Sequence, residues 1–444
     1  MTANFLSAKE AIKAIEDGEI TSQELVKDCL DRIVEHDGTI GAWAHLDPEL
    51  ALERAREADE ARQGGGPVGA LHGIPVGVKD IFDTADMPTE QGTPLYAGRS
   101  PGGDAAVVEK LREAGAIILG KTVTTELAAF SPGKTTNPHD ATRTPGGSSS
   151  GSAAAVAAFM VPLAVGSQTT GSVIRPAAFC GVFGFKPTFG RISRHRVLLQ
   201  SPVLDTVGVF GRTLEDVALF SDVLMEFDSR DKSMQPRARA RISKIMLEPP
   251  PMEPHLAFVR SPVWDQAEEG TKEAFRELIA AVEDQVDIVE LPSGFGEAHE
   301  VHRQILEADL ARNFAREYRD GKDQLSTVLC GMIERGRQVP AVQYNEALDQ
   351  VEEFHESLTE LFYEYDAILT PAAPGEAPVG LDSTGNPAFC TIWTLCGVPA
   401  LSMPLLQGAA GMPLGVQMVG ERGDDGRLLR NANWLLKALD RERG

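Results

Sequence analysis

Several short patterns in this chain place reactive side chains at spacings that chemistry uses. Gly115-Ala-Ile-Ile-Leu-Gly120-Lys121-Thr122 fits G-x-x-x-x-G-K-[ST], in which loop amides and a lysine hold phosphate. Gly147-Ser-Ser149-Ser-Gly151 fits G-x-S-x-G, which lifts a serine nucleophile over a sheet, and Ser131-Pro-Gly-Lys134 fits the serine–lysine spacing S-x-x-K. The densest set lies at 145–188, "PGGSSSGSAAAVAAFMVPLAVGSQTTGSVIRPAAFCGVFGFKPT". Two loops of glycine and hydroxyl residues there flank a small-residue segment. Amides in such loops suit a developing oxyanion, and a serine there is a nucleophile once a base takes its proton. Any one of these serines alone reads as a turn or cap hydroxyl. The run as a whole does not.

The elements that must carry these residues decide among the patterns. Asp104–Ala114 reads as a helix, with Asp104 as N-cap and apolar residues at 107, 108 and 111. Gly115 suits the position just past its end. Ala-Ile-Ile-Leu then reads as strand. The order helix, glycine, strand, Gly-Lys-Thr is not that of a phosphate loop, which lies between a strand and a helix. Lys121 is therefore expected at a strand end. The polar loop "TTNPHDATRTPG" precedes Ser149 where a nucleophile elbow needs a buried strand, and Pro132-Gly133 breaks the helix that S-x-x-K requires. Within 145–188 the pattern predicts a helix over Ser152–Ala158, a strand over Val161–Val165 and a loop over 166–172.

Across its 444 residues the chain is 42% hydrophobic and 24% charged, enough to bury a large core. The first 60 residues read as helical, with Thr21-Ser-Gln-Glu24 as a capping box. From about 65 to 225, short apolar runs alternate with helical segments, the texture of an α/β fold around a buried sheet. Residues 226–253 read as a polar, proline-rich surface linker with a basic run from Arg237 to Lys244. Residues 254–444 form a C-terminal half: a strand at 255–259, long amphipathic helices to about 365, then short strands. The net charge of −23 argues against nucleic acid and against an anionic membrane surface. No apolar run is long enough to span a bilayer, and the N-terminus does not read as a signal peptide. Five cysteines without a C-x-x-C pair read as thiols in a reducing compartment, hence a cytoplasmic protein. No tight His/Cys spacing points to a metal.

The run at 145–188 closely resembles the signature of the amidase signature family of serine hydrolases. The resemblance extends to "GALHGIPVGVKDIFDT" (69–84), "GAIILGKTVTTELA" (115–128), "LDTVGVFGRTLEDVA" (204–218), "DAILTPAAP" (366–374) and "GVPALSMPL" (397–405), essentially the full chain. It implies a single large α/β/α domain with a central mixed sheet covered by helices. It also implies a Ser–cis-Ser–Lys triad, with Ser172 as nucleophile, Ser148 as bridging serine after a cis Gly147–Ser148 peptide, and Lys79 as base. Backbone N–H groups of Thr169, Thr170, Gly171 and Ser172 would form the oxyanion hole, an acyl-enzyme would form, and no cofactor would be needed. A lysine can be a base only when neutral, so its ordinary pKa of roughly 10.4 must fall far enough to cost about 3–4 kcal/mol. Burial among Ile74, Val76 and Val78 offers the means.

Two departures stand out. Many members read G-S-D-T-G-G-S at the second loop, where this chain has Gln168 and Thr170. Thr170 would narrow the acyl pocket. The usual S-I-R-x-P is here Ser172-Val-Ile-Arg175-Pro176. In some members with this order the arginine grips a substrate carboxylate. Arg175, with Gln168 beside it, is thus a candidate substrate ligand, and the alternative is an arginine bound to a structural Asp or a carbonyl. The leading expectation is a stand-alone amidase acting on a small-molecule amide, with a homodimer suggested by the family. The alternatives are the catalytic A-type subunit of a tRNA-dependent amidotransferase, or an esterase or carbamate hydrolase with the same triad.

Overall fold

The computed structural model describes residues 2–239 and 241–443. Its strands are β1 (Trp43–Leu46), β2 (Pro75–Lys79), β3 (Ile117–Thr122), β4 (Leu163–Gln168), β5 (Phe183–Lys186), β6 (Thr206–Gly211), β7 (Leu256–Arg260), β8 (Val286–Glu290), β9 (Ala367–Pro371), β10 (Ala400–Gln407) and β11 (Pro413–Val419). All join one sheet in the order β1-β3-β2-β4-β6-β5-β10-β11-β9-β7-β8. β2 runs parallel to β3 and β4. At the far side β7 runs parallel to β8 and β9. The strands between are antiparallel, so the sheet is mixed.

The sheet separates two cores. Along β7, Leu256 and Phe258 belong to one apolar cluster, Ala257 and Val259 to the other. This is the period-two alternation of a strand covered on both faces. The first cluster takes in the N-terminal helix Ser22–Ile40 and residues of the last helix, such as Leu428 and Leu435; the second takes in the helices Ala298–Asn313 and Ala341–Glu364. The result is one α/β/α domain with a central mixed sheet. The capping box at Thr21 and Glu24 opens the helix Ser22–Ile40 as the sequence predicts.

Three local expectations change. The helix expected from Asp104 is Ala106–Glu113, capped by Ala105 without a side-chain bond. The Asp104 carboxylate instead accepts from the Ala85 amide at 2.7 Å and Arg112 at 2.9 Å, a stronger use of its charge. The all-helical reading of the first 60 residues misses β1, a four-residue edge strand against β3. The linker expected at 226–253 carries the helix Ile242–Leu247, whose Ile242 and Met246 are buried at i and i+4 spacing. Residue 240, inside the basic run, lies outside the described residues.

Gly120-Lys121-Thr122 is the end of β3 and is buried throughout. Lys121 Nζ lies 3.1 Å from Asp80 Oδ1 and donates to Phe82 O (2.9 Å), Pro88 O (3.1 Å) and Thr89 Oγ1 (2.6 Å). Every direction of its ammonium is taken by the protein, so phosphate has no lysine to meet. Replacing Lys121 by Met, which strands Asp80 in the interior, is expected to lower unfolding free energy by about 3–5 kcal/mol in denaturant titrations. Any calorimetric signal with ATP or GTP is expected to be the same in wild type and Lys121→Met, since Lys121 has no donor left for phosphate.

Candidate active site

β2 and β4 are parallel neighbours, with Val78 level with Val165. Both end at the same edge of the sheet, the usual place for a site in an α/β fold. Lys79 is the last residue of β2, and Gln168, the last of β4, opens the loop to Ser172. The other serine loop precedes the helix Ser150–Ala157, built of small residues so that it can lie close on the sheet. A Cβ on Gly151 would stand 2.2 Å from Ala42 O and 2.4 Å from Val123 N, so only glycine permits that approach.

These elements bring Lys79 and both serine loops together. Lys79 is fully buried, and its Nζ donates to Ser148 Oγ at 2.8 Å and to Ser167 Oγ at 2.9 Å. Burial pushes the lysine down to about 7, against a smaller opposing pull from Asp205. The Gly147–Ser148 peptide is cis. Ser148 is buried, whereas Ser172 is half-buried and so within reach of a ligand. A charged Lys79 donates across this 2.8 Å contact; a neutral one can instead accept the Ser148 proton. Among the described residues, the amides of Thr170, Gly171 and Ser172 take no part in the backbone bonds of the loops and turns.

The 169–172 loop is held from three sides. Thr169 Oγ1 donates to Asp205 Oδ1 at 2.6 Å, while Asp205 Oδ2 accepts from the amides of Gln200 (2.7 Å) and Ser201 (3.2 Å). Burial pushes Asp205 up to about 6, the hydrogen bonds opposing. His302 Nε2 lies 2.9 Å from Thr169 O. A carbonyl only accepts, so Nε2 carries the proton; burial pushes the imidazole down to about 4 and keeps it neutral. Thr394 Oγ1 donates to Thr170 O at 2.7 Å.

The two residues proposed from sequence as substrate ligands are largely spent on the protein. Gln168 is fully buried; its Oε1 accepts from the amides of Val173 (2.8 Å) and Ile174 (3.0 Å), and its Nε2 donates to Thr394 Oγ1 (2.8 Å). This corrects its expected role: it ties the turn after Ser172 together. Arg175 Nε donates to Thr384 O (2.8 Å), and Nη2 to Gly147 O (2.7 Å) and Thr384 Oγ1 (3.0 Å). Its Nη1 is buried without a hydrogen bond beside Gly171. Of the competing patterns, Ser149 is wholly buried, its Oγ donating to Ser167 O at 3.2 Å, and so fastens β4 to the first serine loop. Ser131 is half-buried and Lys134 exposed, away from this cluster.

Sequence reasoning missed Ser167, Asp205, His302, Thr384 and Thr394. Ser167 stands in the same "GSQTTGS" as Ser172, and Asp205 in "LDTVG", so the motifs held a signal for both. The other three come from the C-terminal half, where no local pattern marks them.

The mixed sheet brings a buried lysine and two serine loops to one edge, an arrangement suited to acyl-transfer hydrolysis. The Amidase family model matches residues 24–429, and the chain belongs to that family, acting on C–N amide bonds. The A-type subunit of the glutamyl-tRNA(Gln) amidotransferase of Rhodopirellula baltica is 32% identical, covering 98% of this chain and 96% of its own. The peptide amidase of Stenotrophomonas maltophilia superposes with a TM-score of 0.85 at 27% identity, over 99% of this chain and 97% of its own. A chain from a vestigial protein complex that bears on the origins of an s-triazine catabolic enzyme gives 0.91 at 25% identity, over 97% and 98%.

Thr394→Val removes the bonds to Thr170 O and Gln168 but keeps the shape. It is expected to lower kcat on any amide substrate roughly 10- to 100-fold with KM little changed, because it loosens the 169–172 loop expected to hold the oxyanion. Its stability cost is expected to be about 1–3 kcal/mol by denaturant titration.

Proposed function

We propose that this chain hydrolyses a carboxamide through an acyl-enzyme, with Ser172 as nucleophile, Ser148 as proton relay and Lys79 as base. The observation that carries this is the buried Lys79 Nζ, 2.8 Å from Ser148 Oγ. Lys79 near neutrality draws the proton of Ser148, and Ser148 draws that of Ser172 as its Oγ attacks the amide carbon. The amides of the 169–172 loop receive the negative charge on the carbonyl oxygen. The proton then returns through Ser148 to the leaving nitrogen, ammonia or an amine departs, and water repeats the sequence on the acyl-enzyme.

The curated relatives favour the amidotransferase A-type subunit over a stand-alone amidase as the setting for this chemistry. The Gln168 departure does not weigh against it. Aspartate would offer the same acceptor oxygens to Val173 and Ile174, one methylene shorter. In that setting a net charge of −23 leaves tRNA contacts to partner subunits. The stand-alone reading draws on the solved peptide amidase, whose whole length this chain matches.

Ammonia release from glutamine and from aliphatic, aryl and dicarboxylic monoamides tests both. Ser172→Ala is expected to lose turnover by about 10³-fold or more, and Lys79→Met comparably. Unchanged turnover in Ser172→Ala overturns the assignment. Preference for glutamine, together with co-migration with other subunits when isolated from the native host, marks the A-type subunit. Turnover of simple amides by the isolated chain, whether monomer or homodimer, marks the stand-alone enzyme. Because Lys79 must be neutral and its pKa is held at about 7, kcat/KM is expected to rise with pH through about 7 and level off above it. Below that it should fall about tenfold per pH unit as Lys79 protonates.

A further inference from the structure

A cavity of about 510 Å³ lies apart from the two serine loops and shares no residue with them. Its walls come from the turn after β5 (Thr188–Arg191), the segment 233–238, His355 and Arg422. In a chain of net charge −23, three arginines, Arg191, Arg237 and Arg422, line this one space.

Their charges are poorly spent on the protein. Arg191 Nε is buried without a hydrogen bond, 3.5 Å from Asp425 Oδ2. That carboxylate is already engaged by the Thr188 amide at 2.8 Å and Thr188 Oγ1 at 2.9 Å. Among the described residues, Arg422 reaches only Glu352, at 4.0 Å. Arg237 has no carboxylate within salt-bridge distance among the described residues. Contrast Arg194, close by, which makes a bidentate pair with Asp231 at 3.0 and 3.2 Å and is fully committed. Phe189, Met225, Phe227 and Met234 add an apolar patch to a lining whose other side chains, among them Thr188, Ser233, Gln235 and His355, are mostly polar. A guanidinium short of acceptors holds a planar or tetrahedral oxyanion well, and the volume is that of a small-molecule site.

We propose that this cavity is a binding site, separate from the catalytic one, for a small molecule that joins a carboxylate or phosphate to an apolar body. The oxyanion lies among the three guanidinium groups and the apolar part against the phenylalanine and methionine floor. The basic run noticed in the sequence then has a use at its first residue, Arg237, which is wasted on a merely solvated connection.

Calorimetry with phenyl phosphate, benzoate, inorganic phosphate and benzyl alcohol, at matched ionic strength, tests this. Phenyl phosphate or benzoate is expected to bind at least about tenfold more tightly than inorganic phosphate or benzyl alcohol, since only they satisfy both halves of the site. Which of the two binds better identifies the oxyanion. The double variant Arg237→Gln/Arg422→Gln, at two exposed side chains, is expected to weaken binding roughly 100-fold with an unchanged melting temperature. Ser172→Ala is expected to bind as wild type does, which keeps this site distinct from the catalytic one. Absence of binding by both aryl anions, binding unaltered in the double variant, or binding lost in Ser172→Ala overturns the proposal.

Discussion

Everything at this site depends on a lysine that has been taken out of water with no carboxylate in contact with it. Lys79 and Lys121 sit on neighbouring parallel strands, with Lys79 level with Thr122, and both are wholly buried. Their surroundings part them. Lys121 meets Asp80, two carbonyls and a hydroxyl, groups that hold an ammonium. Lys79 meets two serine hydroxyls, which serve a neutral amine as well as a charged one. Burial outweighs the pull of Asp205 and favours the neutral form. Lys186 shows that a low pKa is not enough. Burial pushes it also to about 7, yet its Nζ donates to Val398 O and Pro187 O. Carbonyls have no proton to give a base. What distinguishes Lys79 is that its partners are hydroxyls.

A neutral lysine is useful only if the loop that would hold the oxyanion does not move. Its amides must point into the site, so its carbonyls and hydroxyls are the handles by which it can be fixed. The fold uses them. Asp205 takes the Thr169 hydroxyl, His302 the Thr169 carbonyl and Thr394 the Thr170 carbonyl. Asp205 is itself held by the 200–201 amides, and Ser201 Oγ donates to Asp309 at 2.5 Å. His302 and Asp309 are seven residues apart on one helix, so a single helix face grips the loop by a direct and an indirect route. The C-terminal half thus sets the geometry of a loop that lies in the first half.

This division explains what the sequence could disclose. The two loops, Lys79 and the strand that refutes the phosphate-loop reading are local patterns: glycine and serine clusters, apolar runs and a helix-ending Gly115. They could be read because a strand end or a tight turn restricts the residues near it. The mixed sheet was legible through the family resemblance more than through periodicity, since β1 and β8 are short edge strands with few buried positions. His302, Thr384 and Thr394 could not be read. Each is an ordinary polar residue on a helix or loop, and its meaning comes from a partner more than 100 residues away. Gln168 misled for the same reason: its type suggests a ligand, and only its distances to Val173, Ile174 and Thr394 reveal a brace.

With Gln168 and most of Arg175 committed to bracing, discrimination between substrates falls to other walls of the site. A Cβ on Gly171 would meet Pro387 Cβ, Cys390 Cβ and Arg175 Nη1, each at 3.1 Å, so the segment 384–390 closes tightly over one side of the loop. That segment is anchored from outside: His299 Nε2 lies 2.9 Å from Ala388 O, and Asn386 donates to Gln266 at 2.8 Å. Thr384 at its start shares Arg175 with Gly147. Changes in the helix Ala298–Asn313 or near Gln266 can therefore shift 384–390 against Gly171 without altering Lys79, Ser148 or Ser172. One catalytic arrangement can in this way serve a free amidase or one component of a larger assembly, because the wall beside Gly171 is built from a different part of the chain than the lysine and serines proposed to act.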